Sequence, residues 1–293
     1  MTPGVEDVVP AAAGALCERL ERGEILVFED TWFLVDEADR ELLTGVAASS
    51  LTGKNISYSR ESGALRGMRG PLQERVREAM RRYSDRAVEL CGRLLAPFSR
   101  TWRVELCSFR PVEERGRDLP ERERNDLLHV DAYPNRPTRG ARILRFFTNI
   151  HPSRERVWIT SDPLHRLAHD QRWHGLILEN PPRRNFRPPS WASRIARIAG
   201  LSLPDRSSFD VAMLRMHDRF KRSRQFQAEC PRHHHRFPPG ASWMVFTDAV
   251  PHAVVEGQYA LEQSFFVPKD ALLTPELSPI AVLEKLIGPG SGD

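Results

Sequence analysis

The chain has 293 residues, 40% hydrophobic and 28% charged, with a net charge of +4 and 43 lysines plus arginines. That is an ordinary globular composition, large enough for a sizeable core. No apolar run approaches the ~20 residues that span a bilayer, and Cys17, Cys91, Cys107 and Cys230 are scattered without short pairing, so a membrane-spanning chain and a disulfide framework are both excluded.

The start, MTPGVEDVVPAAAG, carries acids and no basic segment, so no secretory signal is expected and residues 1–10 read as disordered. A short helix is expected from about Ala11 to Arg22, closed by Gly23, and EILVFE follows as a strand. Asp36 to Ala48 reads as a second helix. Residues 49–70 are rich in Ser and Gly and carry Lys54, Asn55, Arg60 and Arg66. A loop of that length is a candidate lid or substrate loop. From Pro71 to about Pro97, the apolar positions Val76, Met80, Tyr83, Ala87, Leu90 and Leu94 recur at threes and fours. This long helix should pack across the outside of a β core. Trp102 to Phe109 alternates as the first core strand, and residues 110–126 form an exposed loop rich in Arg and Glu.

The stretch NDLLHVDAYPNRPTRGARILRFFTNI, residues 125–150, carries His129-Val130-Asp131. Residues i and i+2 share one face of a strand, so both side chains can point at one metal. His252, in WMVFTDAVPHAVVEGQYALEQSFFVP, supplies a second imidazole between two strand-like segments, Ser242 to Phe246 and Ala260 to Val267. Two histidines and a carboxylate make the ligand set of a mononuclear non-heme Fe(II) oxygenase, which leaves one face of the metal open. His129, Asp131 and His252 are therefore both metal and catalytic candidates. The competing reading is that these are ordinary surface or core histidines.

In the strand Arg142 to Ile150, Ile143, Arg145, Phe147 and Asn149 share one face, and Arg142, Leu144, Phe146 and Thr148 the other. An arginine amid apolar residues in a central strand is costly unless paired. In a 2-oxoglutarate enzyme its partner would be the distal carboxylate of the cosubstrate, so Arg145 is the first candidate for that anchor, with Asn149 or Thr148 assisting. A structural ion pair with Glu262 is the alternative.

Residues 151–240 read as a helical insertion between the two halves of the metal site. Asp162 is placed to cap a helix from about Pro163, Asn180 to Pro189 is a loop, and Ser190 to Ala199 a short helix. Ser207 and Asp210 are spaced as a capping box for a basic helix to about Gln227, carrying Arg215, His217, Arg219, Lys221, Arg222 and Arg224. Such a helix can meet phosphates or an anionic membrane surface; a solvated face is the plainer alternative. Cys230 with His233, His234 and His235 lacks the spacing of a zinc site. A last short helix, Pro279 to Leu286, precedes a frayed tail. The fold expected is α+β and mainly β. Its core is a double-stranded β-helix, a jelly-roll or cupin-like relative, flanked by N-terminal helices and the insertion. It forms one oxygenase domain over residues 1–293, with 1–100 as support, 101–270 as core and 271–293 as tail.

HVDAYPNRPTRGARILRFFTNI followed by FPPGASWMVFTDAVPHAVVEGQYALEQSFFVP resembles the Kdo hydroxylases of Gram-negative bacteria, over about residues 20–270. The resemblance implies Fe(II) held by His129, Asp131 and His252, with 2-oxoglutarate and O2 as cosubstrates. It implies hydroxylation at C3 of 3-deoxy-D-manno-oct-2-ulosonic acid (Kdo) in Kdo-lipid A, an inner-core modification of lipopolysaccharide that gives Ko, with succinate and CO2 as coproducts. It also implies a cytoplasmic enzyme in peripheral contact with the inner membrane, with no nucleic-acid partner. Ser264 matches the wider superfamily, but Glu262 stands where many members place an arginine, so the anchor must come from elsewhere, with Gln263 and Ser264 nearby. Tyr133, Asn135, Arg136 and Arg139, on the loop after Asp131, are the substrate candidates. The alternatives are the same chemistry on another small molecule or a protein side chain, and a non-catalytic β-sandwich binding an acidic partner.

Overall fold

A computed structural model describes residues 10–178 and 206–287. The expectations for residues 1–9, the loop 180–189, the helix 190–199 and the last residues of the tail lie outside that range. The elements are α1 (Pro10–Glu21), β1 (Leu26–Phe28), α2 (Glu37–Thr44), β2 (Ile56–Tyr58), β3 (Leu65–Arg66), α3 (Gln73–Leu94), α4 (Ala96–Ser99), β4 (Arg103–Arg110), β5 (Arg142–Asn149), β6 (Arg156–Thr160), α5 (Leu164–Leu167), α6 (Gln171–Leu178), α7 (Ser208–Arg222), α8 (Arg224–Glu229), β7 (His233–Phe237), β8 (Ser242–Phe246), β9 (His252–Glu256), β10 (Ala260–Val267) and α9 (Pro279–Ile287). No helix among the described residues is long and apolar enough to cross a membrane.

Two antiparallel sheets form the centre. The larger runs β1-β8-β5-β10-β4-β2-β3 and the smaller β7-β6-β9. Their facing surfaces meet through Phe147, Trp158, Phe237, Trp243, Val245 and Val254, with Phe237 stacked on Trp243 at 3.9 Å between ring centroids. The outer face of the larger sheet carries Leu144, Phe146, Met244, Phe246, Leu261 and Phe265, which join α1 and α3 in the largest apolar cluster. The apolar stripe of α3 lies on that face as its periodicity requires, with Val76, Met80, Ala87, Leu90 and Leu94 buried. Polar ties fix its position: Tyr83 hydrogen-bonds to Thr148 at 3.1 Å and Ser84 donates to Gln263 at 2.6 Å.

Two expectations change. The span 151–240 is not all insertion, because β6 and β7 at its two ends pair with each other, and β6 also pairs with β9, the strand of His252. The helical part lies between them. Residues 49–70 are not all loop either, since they hold the β2–β3 hairpin, which extends the larger sheet through β4. The capping box is present: the Asp210 backbone N–H donates to Ser207 Oγ, and the Ser207 N–H donates to the Asp210 carboxylate. The basic helix breaks at Ser223, whose side chain caps α8 by accepting from the Phe226 N–H.

Candidate active site

The His-x-Asp segment and the distal histidine meet through backbone pairing. His129 N–H donates to His252 carbonyl at 3.2 Å, and His252 N–H returns to His129 carbonyl at 2.9 Å. Asp131 N–H donates to Thr247 carbonyl at 2.8 Å, which holds the second half of the motif to the end of β8. One ligand atom from each of His129, Asp131 and His252 then lies within 4.8 Å of the others, and no second such group occurs among the described residues. His129 Nδ1 donates to Leu127 carbonyl at 2.7 Å and His252 Nδ1 to Val250 carbonyl at 3.0 Å. Those bonds hold the proton on Nδ1 and leave Nε2 as the lone-pair donor, the arrangement that orients a metal-ligating imidazole. Asp131 Oδ2 is buried with no hydrogen bond beyond its ion pair with Arg145. Two imidazole nitrogens and a carboxylate oxygen, converging and under-coordinated, fit a divalent iron.

Burial pushes both imidazoles below the ordinary histidine range, so they stay neutral. Burial pushes the Asp131 carboxyl up, but the Arg145 guanidinium beside it outweighs that and holds it ionised. Trp158 stacks on His252 with ring centroids 5.3 Å apart, and Phe147 meets Trp158 edge-on at 4.8 Å. The metal candidates therefore sit against an apolar wall on one side.

Behind them lies a buried charge network. Arg145 Nη1 is 3.1 Å from Asp131 Oδ2, Arg145 Nε is 3.2 Å from Glu262 Oε1, and Arg110 Nη2 donates to Glu262 Oε2 at 2.8 Å. Tyr133 Oη accepts from Arg145 Nε at 3.0 Å. Burial pushes the Glu262 carboxyl up, yet the two arginines hold it below the ordinary carboxylate range. Arg110 Nε keeps no hydrogen-bond partner.

In front is a cavity of about 220 Å³ lined by His129, Asp131, His252, Arg110, Arg145, Phe147 and Trp158, and by Lys54, Asn55, Asn125, His217 and Lys221 from the surrounding loops and α7. His217 Nδ1 donates to Val130 carbonyl at 2.7 Å, so it braces the His-x-Asp segment.

The other expected residues fall in different places. Asn149 shares Arg145's face, but its amide donates to the carbonyls of Arg154 and Phe237 and accepts from His151, so it knits loops at the strand end. Thr148 and Gln263 face the helices: Thr148 bonds to Tyr83 and Ser242, and Gln263 to Ser84 and the Glu105 carbonyl. Strand parity turns both away from the cavity, which corrects their expected role in binding the cosubstrate. Ser264 donates to Glu262 and orients it. Tyr133 is occupied by Arg145, and Arg136 pairs with Glu105 at 3.0 Å and covers the Tyr133 ring. Asn135 and Arg139 are exposed, Arg139 at a positive φ of 53°. None of these four lines the metal cavity itself. Lys54, Asn55, His217 and Lys221 line it instead. The available signals were the scarcity of lysine, found at only Lys54, Lys221, Lys269 and Lys285, and the i, i+4 spacing of His217 and Lys221.

Sheets, triad and buried charges together define a mononuclear non-heme iron oxygenase architecture. A family model described as 3-deoxy-D-manno-oct-2-ulosonic acid (Kdo) hydroxylase matches residues 5–289, and the chain belongs to that family. It is similar to the apo structure of the Kdo hydroxylase KdoO, a non-heme Fe(II) alphaketoglutarate dependent dioxygenase, at 32% identity and a TM-score of 0.83, covering 96% of this chain and 92% of that one. The complex of KdoO with alphaketoglutarate and Fe(III) aligns at 32% identity and 0.82, with the same coverage. The cobalt(II) complex aligns at 31% and 0.83, covering 99% and 97%. No curated protein sequence matches the chain.

Proposed function

We propose that this chain is an Fe(II)/2-oxoglutarate-dependent dioxygenase that hydroxylates C3 of Kdo in Kdo-lipid A, giving Ko. The observation that carries the reading is the convergence of His129, Asp131 and His252 in a family whose solved members are Kdo hydroxylases. The two sheets are read as one double-stranded β-helix spanning a single oxygenase domain. When bound, iron and 2-oxoglutarate supply the oxidation: one oxygen of O2 enters the sugar C–H bond, and the other leaves in succinate as CO2 is released.

The chain's own residues supply position and dryness. His129, Asp131 and His252 would hold the iron. Arg145, with the spare Nε of Arg110 beside it, would receive the distal carboxylate of 2-oxoglutarate through charge-assisted hydrogen bonds. Glu262, oriented by Ser264, holds the two guanidinium groups in place, and Tyr133 fixes the far edge of Arg145. Trp158 and Phe147 exclude water from the reacting face. In this reading the enzyme works in the cytoplasm at the inner-membrane surface, a location supported by the exposure of Arg222 and Arg224 on α7 and α8, which would face anionic headgroups.

The test is succinate formation by the purified protein with Fe(II), 2-oxoglutarate and ascorbate, with and without Kdo-lipid A. The reading expects substrate-dependent succinate and a lipid product one oxygen atom heavier. Succinate that is indifferent to the lipid would keep the oxygenase and discard this substrate.

A further inference from the structure

We propose that Lys54 and Lys221 form a two-sided clamp for the carboxylate of the sugar substrate, with Asn55 Oδ1 beside them accepting a sugar hydroxyl. The proposal rests on the reading above and assigns its substrate-recognition residues.

The chain neutralises its acids almost entirely with arginine, yet two of its four lysines line the metal cavity. They come from different elements. Lys54 precedes β2 and donates to the carbonyl of Glu123, which ties that loop to the rim of the cavity. Lys221 lies on α7, one turn beyond His217, and is only 4% exposed. Both residues line the cavity.

Both ammonium groups are desolvated. Burial pushes both ammonium groups down to about 8. For Lys54 the neighbouring charges Arg110, Arg117 and Lys221 add to that and Glu114 opposes it. Around Lys221 the acids Asp131, Asp218, Asp126 and Glu121 oppose it. A desolvated ammonium is stabilised in its charged form by an anion bound against it, and both ammonium groups line the one cavity. Asn55 Oδ1 is buried and lacks a hydrogen-bond partner. An orphan acceptor of this kind suits a ligand hydroxyl.

Substrate chemistry selects the carboxylate. In a 3-deoxy-2-ulosonic acid, C1 is the carboxylate and C3 the reacting carbon, two bonds apart. With C3 at the metal, the C1 carboxylate must lie in the same cavity, and a cation there must receive it. The phosphates of the lipid lie at least one sugar further away. The 2-oxoglutarate carboxylate has its own cations, because Arg145 and Arg110 sit on β5 and β4 in the cavity floor. The lysines occupy the loop and helix on the side of exposed Glu123, away from those two strands.

The test compares kcat/KM for Kdo-lipid A with that for its carboxyl-reduced counterpart, which carries a C1 alcohol, in wild type, Lys54→Met and Lys221→Met. Wild type should prefer the carboxylate at least tenfold, and each variant should lose most of that preference through KM. The preference is a ratio within one protein, so partial misfolding cannot imitate its loss. Variants that keep the wild-type preference would overturn the clamp. So would a lost discrimination against dephosphorylated lipid in place of the carboxyl-reduced one. A wild type that converts neither substrate overturns the substrate reading itself, and the clamp with it.

Discussion

Arg145 Nε lies 3.2 Å from Glu262 Oε1, across the neighbouring strands β5 and β10. The pair explains how a carboxylate can occupy the sheet position where many relatives of this fold carry an arginine. Glu262 neutralises and aims the two guanidinium groups, Arg110 and Arg145, proposed to receive the cosubstrate. With Asp131 included, two arginines face two acids. A divalent metal on Asp131 then leaves the floor positive, ready for a dianion.

Arg145→Met should raise the KM for 2-oxoglutarate by tenfold or more, since a charge-assisted pair contributes about 1.5–3 kcal/mol. Thr148→Val should change it less than twofold, because Thr148 faces Tyr83 and Ser242. Initial-rate succinate assays over a 2-oxoglutarate series separate the two.

Glu262→Gln leaves Arg110 and Arg145 buried without their shared counter-ion. Removing one partner of a buried pair costs about 3–5 kcal/mol, so a large fall in the urea midpoint is expected. A midpoint equal to wild type would show that the two arginines are neutralised elsewhere.

Asp210 is 4% exposed and holds more than the start of α7. Its Oδ1 accepts from the backbone N–H of Thr138 at 2.7 Å and of Arg139 at 3.1 Å, so it anchors the loop that follows Asp131. Asp210→Ala should cost about 1–3 kcal/mol from the lost cap and the two stranded donors. Equilibrium urea unfolding measures it, and Asp210→Asn should recover part of the loss.

Lysine ordinarily titrates at 10.5, and burial brings Lys54 and Lys221 down to about 8. A depressed lysine is charged below that value and loses its charge as pH rises through it. If both must be charged to hold a carboxylate, kcat/KM for Kdo-lipid A should fall above about pH 8. Lys54→Met and Lys221→Met should flatten that fall. Asp131 and Asp126, neighbouring acids that adjacent arginines hold below the ordinary carboxylate range, stay ionised through that window.

The metal candidates were legible because strand alternation is local and the chemistry needs a fixed donor set. Arg145 was legible by the same parity, and parity also argued against Thr148, which shares a face with Leu144 and Phe146. Strands β6 and β7 were hidden because they pair with a strand distant in sequence, and nothing nearby marks Arg156–Thr160 as belonging beside His252. Hairpin β2–β3 was hidden by its length, three residues against two. His217 and Lys221 were read with the charged face of α7 because amphipathic reasoning sends charge to solvent. A polar cavity reverses that rule, and only the fold reveals where the cavity lies.

The most direct measurement is succinate release from Fe(II) and 2-oxoglutarate with Kdo-lipid A against lipid A lacking Kdo, in wild type and Asp131→Ala. The account predicts release that requires the Kdo-bearing lipid, yields a product one oxygen heavier, and drops at least a hundredfold in the variant. Equal release with both lipids, or an Asp131→Ala protein as active as wild type, would contradict it.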